Sequence, residues 1–134
     1  MYAFLVSPRR LFSLCASTRV LALRLTRVDV PSSVIMGDPV WLNCSYELEN
    51  DELYSIKWYN SNGEFYRWVP KDMPPGQKYE SRGIHLDLTK SSFGNVFLSM
   101  TDLHTDGTYR CEVSAEAPSF QTVKREKELR VYND

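Results

Sequence analysis

The sequence predicts an all-β fold, a sandwich of two packed sheets, on three observations. From Leu23 onward the apolar residues recur with a period of two, turn residues punctuate that pattern every several positions, and no amphipathic stretch of helix length interrupts it. A chain of 134 residues has room for one hydrophobic core plus short extensions. Its composition, 43% hydrophobic and 25% charged, is that of an ordinary globular domain. A formal net charge of −1 sets up no global field toward nucleic acid or an anionic membrane. No stretch approaches the ~20 consecutive apolar residues that cross a bilayer.

The elements read in order as follows. Leu23 and Leu25, then Val28 and Val30, form a first strand whose apolar parity switches midway, as a bulge or a crossing between sheets would require. Pro31 ends it, because proline cannot donate to a ladder. After the turn Gly37-Asp38-Pro39, Val40, Leu42 and Cys44 alternate cleanly. A polar loop over residues 47–52 leads to Tyr54, Ile56 and Trp58, read as inward. Asn62-Gly63 is a hairpin signal, and residues 64–69 return as the next strand. Residues 70–76, with Pro74-Pro75-Gly76, form a long irregular connection. Ile84, Leu86 and Leu88 predict another strand, residues 91–94 a turn, and Val96, Leu98 and Met100 the strand after it. Tyr109, Cys111 and Val113 follow, then a loop with Pro118, and Leu129 and Val131 close the last strand. Residues 124–128 break the alternation, which predicts a bulge or a protruding hairpin tip with its charges in water. The count, eight or nine short strands, suits a sandwich.

Residues 1–22 read as a poor signal peptide or a disordered leader, and residues 23–134 as the folded domain. Leu11–Ala16 is an apolar run after Arg9 and Arg10 and before small residues, the order of a secretion signal, but it is shorter than the usual ~7–15 residues. The chain has three cysteines. Cys44 and Cys111 sit in strand patterns and Cys15 does not, so a Cys44–Cys111 pair is expected, with Cys15 outside the fold.

Four residues carry the fold assignment jointly. Cys44 and Cys111 lie 67 positions apart, Trp58 falls between them, and Tyr109 sits two residues before the second cysteine. In an immunoglobulin-like sandwich the cysteines bridge the sheets, the tryptophan packs on the sulfurs, and the tyrosine hydroxyl caps the corner entering its strand. A bridge over such a loop removes about 4 kcal/mol of denatured-state freedom in the chain-entropy model, and burying Trp58 contributes on the order of 2–3 kcal/mol. The spacing also leaves room for the extra strands of a variable-type domain. Leu98, Met100 and Leu103 are assigned to the next strand and its corner, with Leu103 in the core, although Leu103 lies about two residues too close to Cys111. That shortfall puts an Arg82–Asp106 pair at the base of the sandwich in doubt.

Two stretches resemble one family. LYSIKWYNSNGEFYRWVPKDMPP, from Leu53, and GNVFLSMTDLHTDGTYRCEVSAEAPSFQTVKREKELRVY, from Gly94, look like the first immunoglobulin domain of the insect beaten path proteins. The resemblance covers roughly residues 23–132. It implies a secreted or surface-attached molecule acting in axon guidance and synaptic partner choice, with a sidestep-like cell-surface receptor of the immunoglobulin superfamily as partner. Members of that family normally continue into a second immunoglobulin-like domain, and a fragment or a short gene model would explain why this chain stops just after its last strand. The alternative is a generic secreted adhesion protein with a homophilic or unrelated partner.

Variable-type domains pair through one sheet face. With Ile56, Trp58, Cys111 and Val113 inward, Lys57, Tyr59, Arg110 and Glu112 point outward. Phe65, Tyr66, Arg67 and Trp68 crowd the next strand, where alternation would expose large residues of interface type, and Phe120 adds another on the final hairpin. On this reading a joint Tyr66→Ala and Trp68→Ala change abolishes receptor binding without unfolding the domain. Asn43-Cys44-Ser45 fits the glycosylation sequon with Asn43 outward, although a central cysteine and a strand location argue for poor occupancy.

Neither an enzyme nor a cofactor protein is expected. His85 and His104 read as surface histidines without a nucleophile or carboxylate placed beside them. A metal site lacks ligands once two cysteines are paired, and phosphate-cradling glycine loops are missing. Lys124, Arg125, Lys127 and Arg130 interleave with Glu126 and Glu128, the mark of a solvated edge, not of a nucleic-acid surface. No small-molecule substrate is expected.

Overall fold

A computed structural model describes residues 22–133; Cys15 and nearly all of the leader lie outside the described residues. Among the described residues nine strands build two sheets: β1 (Arg24–Asp29), β2 (Ser33–Ile35), β3 (Val40–Glu47), β4 (Leu53–Asn60), β5 (Gly63–Trp68), β6 (Gly76–Lys78), β7 (Val96–Leu98), β8 (Gly107–Ala115) and β9 (Thr122–Tyr132). One sheet has the order β1-β3-β7 and the other β2-β9-β8-β4-β5-β6. Their inner faces meet over Leu42, Cys44, Ile56, Trp58, Phe65, Tyr66, Val96, Leu98, Tyr109, Cys111, Val113 and Leu129, all buried. No helix of the described residues is long and apolar enough to cross a membrane.

The parity switch near Leu25 has both of its expected causes. The β1–β3 register shifts between Leu25 and Arg27, and past Pro31 the chain changes sheets, so that β2 pairs in parallel with β9. The hairpin after β4 has Ser61 and Asn62 as its two-residue loop, and Gly63 opens β5 at φ 122°, a conformation that favours glycine.

Cys44 and Cys111 form a disulfide between the sheets, with Cα atoms 6.4 Å apart. The Trp58 indole N–H donates to the carbonyl of Gly94 at 3.0 Å, and the backbone N–H of Cys44 donates to the same oxygen at 3.1 Å. One carbonyl thus ties the core tryptophan to the bridge. A Cβ on Gly94 would lie 2.3 Å from the Cys44 carbonyl oxygen, so the chain passes here only without a side chain. The neighbouring Phe93 carbonyl accepts from the Tyr66 hydroxyl at 2.9 Å. Burial pushes the Tyr66 and Tyr109 hydroxyls well above the usual phenol range. Tyr109 donates to the Thr105 carbonyl at 2.5 Å, closing the corner that enters β8.

Several elements differ from the sequence reading. Ile84, Leu86 and Leu88 do not form a strand: Leu86 makes one bridge to Leu98, and Leu88–Lys90 is a 3-10 turn. Asp87 curls the chain by accepting from the Thr89 N–H, while the Ser91 hydroxyl takes the Phe97 N–H that a ladder would have used. The short strand β6 has no apolar alternation to announce it. Residues 124–128 form neither bulge nor tip, because β9 pairs with β8 without a shift from Leu129 back to Thr122. Leu103 is not in the core; it is 57% exposed on the 3-10 turn Leu103–Thr105. The buried series is instead Val96, Leu98 and Thr101, two positions earlier, with Thr101 donating to the Asp38 carbonyl at 3.0 Å. Met100 is exposed. Asp106 pairs with Arg130 at 3.2 Å and accepts from the Val131 N–H, so the pair suggested for Arg82 is made elsewhere.

The corner before β8 also changes the reading of the histidines. His85 has a carboxylate neighbour, with Nε2 2.7 Å from Asp102 Oδ2. Asp102 is already committed to structure: it accepts from the His104 N–H, and its own N–H donates to Thr105. The bond with His85, and after it the His104 N–H, hold the Asp102 carboxyl below the usual carboxylate range.

Two predictions follow from these contacts. Gly94→Ala is expected to cost on the order of 3 kcal/mol in urea unfolding, since the added methyl meets backbone that cannot yield. Asp102→Ala is expected to cost about 1 kcal/mol near neutral pH. Because folding lowers the Asp102 pKa, its contribution is full above the unfolded value of about 4 and fades as pH falls through the lower folded value. Unfolding curves of wild type and variant should therefore converge in acid.

Candidate protein-docking face

The outer surface of the six-stranded sheet is built by alternation along its central strands. Tyr59 and Lys57 on β4 face outward beside Arg110 and Glu112 on β8, and Arg67 on β5 lies opposite Lys57. All five are half-buried by one another. Glu64 on β5 and Lys124 and Glu126 on β9 extend the same rows.

The face is a lattice of alternating charge around one aromatic ring. The Arg110 guanidinium lies over Tyr59, 4.4 Å from the ring centroid. Its Nε is 3.0 Å from Glu112 Oε2, and one terminal nitrogen is 3.9 Å from Glu126. Arg67 donates to Glu64 at 2.8 Å and 3.1 Å through two nitrogens and also lies over the Tyr79 ring at 5.7 Å. Its pairing with Glu64 raises the Arg67 pKa, so its charge is fixed at any physiological pH. Burial, with Glu112 and Glu64 nearby, raises the Tyr59 hydroxyl, which remains a neutral donor.

Three aromatic residues expected near this face lie elsewhere. Phe65 and Tyr66 are consecutive yet both fully buried. The β4–β5 register passes from Trp58↔Tyr66 to Tyr59↔Glu64, leaving Phe65 as an extra residue. That bulge turns both rings inward, and Phe65 meets Tyr109 edge-on with centroids 5.9 Å apart. Trp68 pairs opposite Ile56 and therefore points to the core side. There it stacks on Phe93 at 4.7 Å and lines an apolar groove with Pro74, Pro75 and Leu88. A joint change at Tyr66 and Trp68 would therefore damage the core and cannot report on the face.

Phe120 is 71% exposed in the loop between β8 and β9, at the end of the sandwich. It shares a shallow apolar patch there with Ala117 and Tyr54. Tyr54 was read as inward, but a register shift between Leu53 and Ser55 turns it out to 52% exposure. Its aromatic character was the signal, and the bulge hid its direction. Lys71 reaches Glu116 at 2.8 Å and ties the loop after β5 to the loop that carries Phe120. Asn43 faces outward on β3, on the opposite sheet. Among the described residues no cluster of three or more histidine, cysteine or carboxylate groups is placed to hold a metal.

The placement of Phe65 predicts a separation of effects. Phe65→Ala should lower stability by about 3–5 kcal/mol, whereas Lys57→Ala should stay within about 0.5 kcal/mol of wild type. Equal, small losses by chemical denaturation would contradict the inward placement.

Comparison with known proteins agrees with this architecture. Among solved structures, murine CRIg superposes with a TM-score of 0.58 at 22% identity, covering 82% of this chain and 98% of that one. The V domain of amphioxus IgVJ-C2 gives 0.60 at 16% identity, over 75% of this chain and 98% of that one. The insect immune protein hemolin, whose structure was described with implications for homophilic adhesion, gives 0.58 at 16% identity over 87% of this chain and 26% of that one. No curated protein sequence matches the chain. A family model for the immunoglobulin domain matches residues 23–131. With the inter-sheet disulfide, the buried Trp58 and the added strands β5 and β6, this chain belongs to the immunoglobulin domain family and has its variable-type fold.

Proposed function

We propose that this domain is an extracellular recognition module that docks a protein partner through the outer face of its six-stranded sheet. The observation that carries the reading is Tyr59 beneath Arg110, set in paired charges on a β-sheet surface. Tyrosine and arginine are the residue types that dominate interface energetics. Salt-bridged arginines held in fixed positions favour specificity and orientation over bulk stickiness. A disulfide across the core suits an oxidising compartment.

The resemblance to the beaten path family supports the finer form of this reading. The partner would be a sidestep-like immunoglobulin-superfamily receptor on another cell, and the process axon guidance or synaptic partner choice. A homophilic partner is the second reading, favoured by one feature: both charge signs alternate on the face, so it could meet a second copy of itself.

The test is a binding screen of the secreted chain against extracellular immunoglobulin-family receptors by surface plasmon resonance. Tyr59→Ala with Arg110→Glu is expected to weaken binding of the recovered receptor at least tenfold, with unfolding still cooperative. Unchanged affinity in that variant would reject the face, and recovery of no receptor would reject the sidestep-like partner. A concentration-dependent dimer in sedimentation, lost in the same variant, would support the homophilic reading.

A further inference from the structure

The opposite sheet carries an aromatic platform that the docking face leaves unused. Trp41 on β3 is 43% exposed, and Phe97, its register partner on β7, lies against it with ring centroids 4.9 Å apart. The Lys90 amine sits 4.9 Å from the Phe97 centroid. Both rings alternate with buried Leu42, Val96 and Leu98, so both stand on the outer surface of the three-stranded sheet.

Asn43 follows Trp41 by two residues on the same strand, and residues so spaced share a face about 7 Å apart. Asn43, Cys44 and Ser45 form an acceptor sequon, so the order along the strand is aromatic, Leu42, asparagine, Cys44, serine. Among the described residues the Asn43 amide makes no hydrogen bond, and its neighbour across the ladder, Asp29, pairs with Arg27 instead. Hexopyranose rings present a face of C–H groups that packs on aromatic rings, and Trp41 offers such a ring next to the acceptor nitrogen.

We propose that Asn43 carries an N-linked glycan whose first N-acetylglucosamine seats on the Trp41–Phe97 platform. This rests on the extracellular reading above. In the transfer, the Asn43 Nδ2 forms a bond to the anomeric carbon of a lipid-pyrophosphate-linked oligosaccharide. The bond from that carbon to the phosphate oxygen breaks, the lipid pyrophosphate leaves, and the amide gives up one proton. Transfer takes place on the unfolded chain, so strand location does not block it, and the folded requirement of an outward Asn43 is met. The glycan would cover the three-stranded sheet and leave the six-stranded face as the open one.

The experiment expresses the full chain behind a heterologous secretion leader in mammalian cells, as wild type, Asn43→Gln, Trp41→Ala and Trp41→Leu. Peptide mass mapping before and after peptide-N-glycosidase reads occupancy, and thermal unfolding before and after the same treatment reads the seat. The expected result is an occupied Asn43 in wild type, converted to aspartate by the enzyme, with sugar removal lowering the unfolding midpoint by several degrees. In both Trp41 variants sugar removal should leave the midpoint unchanged. A secreted wild type with bare Asn43 would overturn the proposal alone. An equal loss in wild type and both Trp41 variants would overturn the seat and leave the platform to a protein. Intracellular retention of wild type and Asn43→Gln alike would overturn the extracellular reading, and this proposal with it.

Discussion

The structure depends on the contact between the Cys44–Cys111 bridge, the Trp58 indole and the Gly94 carbonyl. The disulfide closes a loop of 67 residues across the two sheets, and its contribution comes mainly from constraining the unfolded chain. Trp58 is a large apolar side chain with one donor, which costs free energy if buried without an acceptor. The Gly94 carbonyl supplies that acceptor while also receiving the Cys44 N–H. Strands from both sheets and the turn before β7 are therefore joined at one point.

That junction decides what is left for recognition. With Trp58 central, the inner layer of the six-stranded sheet takes in Phe65, Tyr66 and Tyr109 as well, so most of the aromatic mass near the candidate face is spent on the core. The outer layer keeps a single central ring, Tyr59, and long charged side chains paired within their own strands, Arg67 with Glu64 on β5 and Arg110 with Glu112 on β8, while Arg110 also reaches across to Tyr59 and Glu126. Such a surface has little non-directional adhesion and a definite electrostatic pattern. On the proposed function, discrimination among partners would be carried by matching charges more than by buried area. The opposite sheet shows the reverse arrangement, with an exposed Trp41–Phe97 pair beside an acceptor asparagine.

Where alternation runs unbroken, as in Val40–Cys44, Ile56–Trp58 and Tyr109–Val113, each side chain's face was legible in the sequence, and so were the disulfide partners and the outward set Lys57, Tyr59, Arg110 and Glu112. The residues misplaced by sequence reasoning fall to two physical causes. A bulge inserts one residue and reverses parity beyond it, and its position depends on the partner strand, which a single segment does not reveal. Tyr54 was lost outward and Phe65 and Tyr66 inward for that reason. Leu103 and the segment around Leu88 were misread because side-chain bonds from Asp102 and Asp87 form short 3-10 turns that compete with the strand.

The measurement that bears most directly on this account is peptide mapping of the folded, unreduced full chain by mass spectrometry. The account predicts one linked pair containing Cys44 and Cys111, converted to two separate peptides by reduction. Free thiols at those positions, or a link from either to Cys15, would contradict it and remove the junction on which both sheet faces are placed.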